Sequence, residues 1–321
     1  MKQGFYDKHY FEFPNIINVE VFRGLCPCKC VHCPVGQINV SERSERFGVE
    51  EIPLELFNSI VDEVSKYPQK TIRLHSVGEP LLWKDLRNAV AYTRNKNIIT
   101  WLFTSLVTTD FELLKHLCDN VNIIEVSINS ADAKDYLETK GIDAFNLVYE
   151  NLSKMSNYIK ENNLSTRLIV SRVQSESELT DDKFVEYWKN TKLASDVFVR
   201  KFHSYNDLLS NKFEMPKVKQ ACLVHFMRFN ISCKGLVVSC FNELFKKDLR
   251  DDVILGSLYD SSIAEIWHNE KLENIRNAEL KGYDLYNHIF TPDFPCRNCF
   301  SCQPYDGKNI TSEHQIEKLT E

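Results

Sequence analysis

The stretch Gly24-Leu-Cys-Pro-Cys-Lys-Cys-Val-His-Cys-Pro34 sets four of the chain's eleven cysteines within eight positions. Cys26, Cys30 and Cys33 stand in the spacing Cys-x3-Cys-x2-Cys, which leaves Cys28 as a surplus thiol. Residues 17–22, just before the stretch, are rich in β-branched and apolar side chains, so the cysteines occupy a loop at the carboxyl end of a strand. A cube of iron and sulfide held by three thiolates keeps one iron open to bind and activate a ligand. A structural zinc site asks instead for four ligands and a second knuckle at a compatible distance. The three-ligand spacing favours the cube.

The rest of the composition narrows the field. A chain of 321 residues with 43% hydrophobic side chains is long enough for one large domain and an appendage. Its net charge of -6 and the lack of any basic stripe argue against a nucleic-acid partner. No run of about 18 apolar residues is present, and the opening Met-Lys-Gln-Gly-Phe-Tyr-Asp has no apolar signal core, so the reading is cytoplasmic with no membrane partner. In a reducing compartment, clustered thiols mean metal or redox chemistry rather than disulfides. Nine of the eleven cysteines fall into two groups, Cys26, Cys28, Cys30 and Cys33 and then Cys222, Cys240, Cys296, Cys299 and Cys302, with Cys233 lying between likely ligands, which predicts two metal sites. Cys118 ends an apolar helical run and reads as core.

Strand-like runs at 17–22, 72–76, 100–104, 123–128, 167–171 and 196–201 alternate with helical periodicity, clearest at 54–64, 111–117 and 145–159. Parallel strands joined by right-handed helical crossovers give an α/β fold, a partial (βα)6 TIM-like barrel with chemistry at the carboxyl ends of its strands. Residues 1–210 form this unit. Beyond a polar linker around Pro216, residues 211–321 predict a small second domain, with a hairpin at 230–240 turning at Lys234-Gly235, a helix near 262–268 and a cysteine-rich end.

Six further pieces follow the loop. Val77-Gly78-Glu79-Pro80 ends the second strand, and the segment 125–130 ends the fourth. Cys222-x12-Gly235-x4-Cys240 is followed by Ile254-Leu-Gly-Ser-Leu-Tyr and Ile263-Ala-Glu-Ile-Trp-His, and the group closes on Cys296-x2-Cys299-x2-Cys302. Together with the loop, these resemble the radical S-adenosylmethionine superfamily with a C-terminal twitch or SPASM-like iron–sulfur domain, and within it the twitch-type aminocyclitol dehydrogenases. The resemblance spans roughly residues 15–303. It implies a [4Fe-4S] cluster on Cys26, Cys30 and Cys33, with His32 at a position often aromatic and Cys28 turned away from the cube. It implies that the Gly78–Glu79 segment binds the amino group of S-adenosylmethionine, that Ser127 and Asn129 reach its ribose, and that Arg172 holds its carboxylate. Thr104 and Ser105, ending strand three, are weaker cofactor contacts. Strand alternation points Ser127 and Asn129 the same way, ordinary sheet polarity being the other explanation. An auxiliary [4Fe-4S] cluster is implied on Cys222, Cys240, Cys296 and Cys299, with Cys302 competing for a place and zinc as the other occupant.

Arg200, His75 and His203 lie at or near the active ends of strands and are read as substrate-contacting or proton-exchanging groups, with structural histidines as the plain alternative. Cys233 is either a packing thiol or a hydrogen-atom donor to a substrate radical, with Cys28 as the other candidate donor should the outcome be epimerisation. The similarity implies reductive cleavage of S-adenosylmethionine to a 5′-deoxyadenosyl radical that abstracts a substrate hydrogen, giving oxidation or epimerisation, with flavodoxin or ferredoxin as electron donor. Only about 16 residues precede the first strand, short of a leader-binding domain, so a sugar, aminocyclitol or nucleotide sugar is expected as substrate. A peptide maturase and a zinc-binding interaction module are the other two readings.

Overall fold

The computed structural model describes residues 12–210 and 221–299. Ten strands form one sheet: β1 (Ile16–Arg23), β2 (Glu50–Glu51), β3 (Thr71–Val77), β4 (Ile99–Thr104), β5 (Ile123–Ser127), β6 (Arg167–Val173), β7 (Asp196–Arg200), β8 (Arg228–Ile231), β9 (Leu236–Val238) and β10 (Ile254–Ser257). Their spatial order is β10-β9-β8-β1-β3-β4-β5-β6-β7, with β2 beside β1. Neighbours from β1 through β3 to β7 are parallel, and helices connect them. Among the described residues the sheet ends at β7 and β10 without joining, so the barrel is partial.

The covering helices are α1 (Val40–Phe47), α2 (Leu54–Val64), α3 (Leu86–Asn95), α4 (Phe111–Asn120), α5 (Ala133–Lys140), α6 (Phe145–Glu161) and α7 (Glu178–Thr191). Side-chain caps start several of them. Asp110, Asp132 and Ser177 each accept a bond from the amide three residues on, which satisfies a donor that the first helical turn leaves open. Apolar residues at helical spacing on α2, Leu56, Phe57, Ile60, Val61 and Val64, bury one face against the sheet. Ile17, Val19, Ile72, Leu74, Leu102, Ile124 and Val170 supply the sheet side of that core.

Strand alternation turns the remaining side chains inward. Ile16, Trp101, Ile123, Ile169 and Phe198 form a separate apolar plug at the bottom of the barrel. Two residues further along the same strands stand Asn18, Phe103, Glu125, Ser171 and Arg200, which line a cavity above the plug. The interior therefore changes from apolar to polar in one step of each strand.

The six barrel strands match the expected runs to within about two residues. The C-terminal part differs from expectation. The hairpin β8–β9 is present, but β8 pairs parallel with β1, from Ile16 opposite Arg228 to Val19 opposite Ile231. Asn18 Nδ2 donates to Asn230 Oδ1 across this seam at 2.8 Å in a buried setting. Seven strands, not six, thus run parallel, and the second cysteine-bearing region continues the first region's sheet. Four more helices follow: α8 (Val224–Met227), α9 (Ile263–Trp267), α10 (Glu270–Lys281) and α11 (Pro295–Asn298). Ser262 and Glu265 close a reciprocal capping box on α9. Among the described residues, no helix is long and apolar enough to cross a membrane.

One outcome follows from the shared sheet. A chain ended after Ser210 loses β8 and leaves the edge of β1 unpaired and uncovered, a surface that templates aggregation. Gel filtration should find that fragment in aggregates; a stable monomer would show that the two regions fold independently.

Candidate active site

The carboxyl ends of the parallel strands open into a cavity of about 350 Å³. Cys26, Cys28, Cys30, His32 and Cys33 line it from the loop after β1, and Cys222, Cys240 and Cys299 line it from the C-terminal region. The two cysteine groups, far apart in sequence, therefore share one space.

The first loop is held by its backbone. Gly24 donates to Val77 O at 2.8 Å, and its φ of +97° suits glycine alone. A Cβ there would come within 1.8 Å of Gly48 O. Lys29 N donates to Lys140 O at 2.7 Å and Val31 N to Thr139 O at 3.1 Å, so the loop rests on the last turn of α5. The fully buried Arg43 bonds Cys26 O at 2.7 Å and Ile38 O at 3.1 Å. Val35, Phe47, Val77, Val238, Leu244 and Phe245 pack around Cys26 and Cys33 and keep this side dry.

The thiols fit a cluster. The amides of Gly36 and Val35 bond the Cys33 sulfur, an arrangement that stabilises a ligating thiolate. As free groups the thiols are weak acids. The hydrogen bond to Cys26 pushes Cys28 up to about 11, the bond to Cys28 does the same for Cys30, and burial pushes Cys33 up to about 11. Metal binding must therefore displace protons from these thiols. Lys140 lines the same space with Nζ 2.6 Å from Ser127 O; burial opposes its charge, but the neighbouring thiolates of Cys30 and Cys28 outweigh that and raise its pKa. Among the described residues no three His, Cys, Asp or Glu side chains converge on a single-ion site, whereas a cube takes its thiolates at separate corners. Cys28 departs from expectation. It lines the cavity beside Cys26 and Cys30 and is not turned away.

The predicted cofactor residues divide into two sets. Glu79, Thr104 and Ser105 meet in one knot at the rim: Glu79 accepts from Thr104 Oγ1 at 2.7 Å, from Ser105 N at 2.8 Å and from Ser105 Oγ at 2.5 Å. Gly78 stands beside it, where a Cβ would lie 2.4 Å from Leu25 O. All four line the cavity, as does Ser127. Asn129 does not. The strand ends at Ser127, and Asn129, at φ +64°, turns back to bond Ser127 Oγ and to accept from Val173 N at 2.7 Å. Alternation ceased to apply where the strand stopped. Arg172 lines the cavity, but its Nε lies 3.0 Å from Asp181 and its guanidinium covers Phe184, so α7 engages the group expected to clamp a carboxylate.

His75, His203 and Arg200 all line the cavity. His75 stacks on Phe103 at 4.3 Å. Burial, followed by the charges of Arg73, Arg228 and Arg200, holds it well below the usual histidine range and therefore neutral at pH 7. Arg200 Nε bonds Glu125 at 2.6 Å. Cys233 lies outside the cavity. It is 3% exposed among Glu20, Arg23 and Glu50, where burial raises its thiol pKa.

Of the expected auxiliary ligands, Cys222, Cys240 and Cys299 reach the cavity. Burial pushes the Cys240 thiol up to about 12. Cys296 is buried behind them, 3.7 Å from His225 Nε2, in a knot where Glu279 also takes Cys222 N at 3.1 Å and Tyr283 Oη at 2.8 Å. Cys302 lies outside the described residues. Sequence reasoning missed Arg73, Glu125, Lys140 and Arg228. For the strand residues the signal was a charge interrupting an otherwise apolar run; for Lys140, on an amphipathic helix, there was none.

Comparison with known proteins agrees with this geometry. A model of the radical SAM superfamily matches residues 21–183, and a model of the SPASM iron-sulfur cluster-binding domain matches residues 222–302. The S-adenosyl-L-methionine-dependent 2-deoxy-scyllo-inosamine dehydrogenase of Niallia circulans is 23% identical over 291 residues, covering 89% of this chain and 92% of that protein. The structure of BtrN with AdoMet and 2-DOIA aligns with a TM-score of 0.56 at 18% identity, over 89% of this chain and 92% of BtrN. That of Streptococcus suis SuiB bound to the precursor peptide SuiA gives 0.64 at 13% identity, over 85% of this chain and 69% of SuiB. The chain thus belongs to the radical S-adenosylmethionine superfamily, carries a C-terminal SPASM or twitch domain, and uses S-adenosylmethionine with [4Fe-4S] clusters.

Proposed function

We propose that this radical SAM enzyme oxidises a small polar molecule of the sugar, cyclitol or nucleotide-sugar class by removing a hydrogen atom and then an electron and a proton. The observation that carries the proposal is the shared cavity: thiols of both cysteine groups line the space in which a substrate must sit. When bound, the cofactors supply the first reducing electron, the hydrogen-abstracting radical and an acceptor for the electron that oxidation releases. The protein supplies the rest. The apolar packing around Cys26 and Cys33 excludes water, and the Glu79 knot fixes the rim beside them. Gly78 lets that rim approach Leu25 O more closely than any side chain allows.

His75, neutral and on the cavity wall, is the group placed to receive the departing proton. Ser127 and Arg172 are assigned to positioning S-adenosylmethionine. Of the two candidate hydrogen donors for an epimerisation, Cys233 lies outside the cavity and Cys28 lines it, so hydrogen return by Cys28 is the alternative outcome. We assign residues 1–210 to radical generation and residues 211–321 to the auxiliary cluster on Cys222, Cys240, Cys299 and Cys296 or Cys302. The electron donor is a flavodoxin or ferredoxin in the cytoplasm. The dehydrogenase of Niallia circulans, by its name an enzyme of an aminocyclitol, supports a small-molecule substrate.

Anaerobically reconstituted protein should hold roughly eight irons per chain, four in each cube, and release 5′-deoxyadenosine from S-adenosylmethionine given a reductant. Cys30→Ala should abolish the release. Zinc in place of iron, with no cleavage by wild type, would discard the proposal for a metal-stapled binding module; turnover of a precursor peptide alone would replace it with a peptide maturase. The loop supplies a second test. A Cβ on Gly36 would sit 2.1 Å from Cys30 O, so Gly36→Ala should lower iron content toward that of a single cluster while circular dichroism stays close to wild type. Full iron content in that variant would mean that the loop adapts its path when it binds the cube.

A further inference from the structure

A buried histidine behind the C-terminal cysteines takes no part in the steps above. His225 is 2% exposed and stands three residues after Cys222, where its amide donates to Cys222 O at 3.3 Å as α8 begins. Its two ring nitrogens face two acceptors. Nε2 lies 3.7 Å from Cys296 Sγ, the separation of a nitrogen–sulfur hydrogen bond, and Nδ1 lies 3.5 Å from Glu279 Oε1. Carboxylate, imidazole and sulfur therefore stand in a row, the arrangement that orients histidines beside metal centres.

The ring is held in that direction. Arg276 and Glu279 sit one turn apart on α10, and both reach His225. Arg276 Nε donates to His225 O at 2.8 Å while its guanidinium covers Trp267 at 4.1 Å. Glu279 is 3% exposed; its Oε1 accepts from Tyr283 Oη at 2.8 Å and its Oε2 from Cys222 N at 3.1 Å. One carboxylate thus fixes both the backbone of one expected cluster ligand and the imidazole that meets another. Burying such polar groups is costly unless each is matched, and the sulfur of Cys296 is the match at Nε2. The thiols of Cys222, Cys240, Cys296 and Cys299 already suffice for the corners of a cube, so the histidine is not needed as a ligand.

We propose that His225 donates its Nε2 hydrogen to the sulfur of Cys296 when that thiol ligates the auxiliary cluster, and so raises the cluster's reduction potential. A hydrogen bond to a ligating thiolate draws charge from the sulfur and favours the reduced, more negative state. His225 is a positioning residue: it acts through Cys296, and Glu279 sets the direction in which its ring presents the hydrogen. The inference rests on the auxiliary cluster assigned above and narrows its task. A raised potential suits a cluster that takes up the electron released when the substrate is oxidised, and ill suits one that must deliver an electron to S-adenosylmethionine.

Full-length Cys30→Ala protein, reconstituted anaerobically to about four irons, carries the auxiliary cluster alone and tests the role. Its reduction is titrated by visible absorption and EPR. Adding His225→Phe should lower the equilibrium constant for reduction about ten-fold, a fall of about 59 mV for one electron, with circular dichroism unchanged. His225→Gln, which keeps an N–H donor, should recover part of the fall. Pulsed EPR of the reduced Cys30→Ala protein, labelled with nitrogen-15 histidine, needs no change at His225 and should find a histidine nitrogen weakly coupled to the cluster. An unchanged potential in His225→Phe would overturn the proposal, and so would the absence of any histidine coupling. A coupling as strong as that of a directly bonded nitrogen, or loss of iron from His225→Phe with circular dichroism unchanged, would make His225 a ligand and overturn it as well. Iron missing from Cys30→Ala would remove the auxiliary cluster and this role with it, whereas cleavage of S-adenosylmethionine by wild type decides the enzyme reading separately.

Discussion

A loop that presents three thiols to one cluster must be fixed through its main chain, because its side chains are committed to the cluster. That constraint shapes much of the structure around it. Gly24 crosses under Gly48 where a single Cβ has no room, and Gly36 folds back over Cys30 on the same terms. Amides of Lys29 and Val31 close on the end of α5, and Gly141, left-handed at that helix end, lies against Lys29. The helix that follows β5 is therefore a brace for the loop that follows β1. The rim segment at Gly78 approaches the same loop at Leu25, which ties the end of β3 to it as well.

The second constraint is the continuous sheet. Because β8 adds to the free edge of β1, the segment carrying Cys222 and Cys240 is fixed relative to the first cysteine loop by ladder bonds. Two thiol groups nearly two hundred residues apart in sequence meet in one cavity through strand pairing. A sheet seam with a buried Asn18–Asn230 bond holds that proximity rigidly.

Much of this was legible in the sequence, for reasons that can be named. The barrel strands announced themselves because one face packs on helices and alternation is strict, and the cysteine spacing gave both thiol groups directly. What failed was extrapolation beyond a regular element. Asn129 was assigned to the face of Ser127, but the strand ends at Ser127 and Asn129, two residues on, is itself left-handed. Cys233 sits two residues beyond β8, and only the hairpin's docking on β1 and β2 decides that its thiol meets Glu50 and not the cavity. Arg172 was placed correctly at a strand end, but its partner Asp181 comes from α7, which no local pattern reveals. The docking of the hairpin on β1 was equally hidden, since a short antiparallel pair carries no record of the third strand it will join.

The charges inside the barrel show why these distant contacts matter for chemistry. At the loop, ionised thiols favour the buried ammonium of Lys140, and the two lie on the same side of the cavity. At the floor, Arg200 pairs with Glu125 and lies over the rings of Trp101 and Phe103. S-adenosylmethionine is a cation at sulfur and suits the end where thiolates gather. Beneath Arg200 and Phe103 the apolar plug of Ile16, Trp101, Ile123, Ile169 and Phe198 keeps the floor from yielding, so the polar cavity above it has a rigid base.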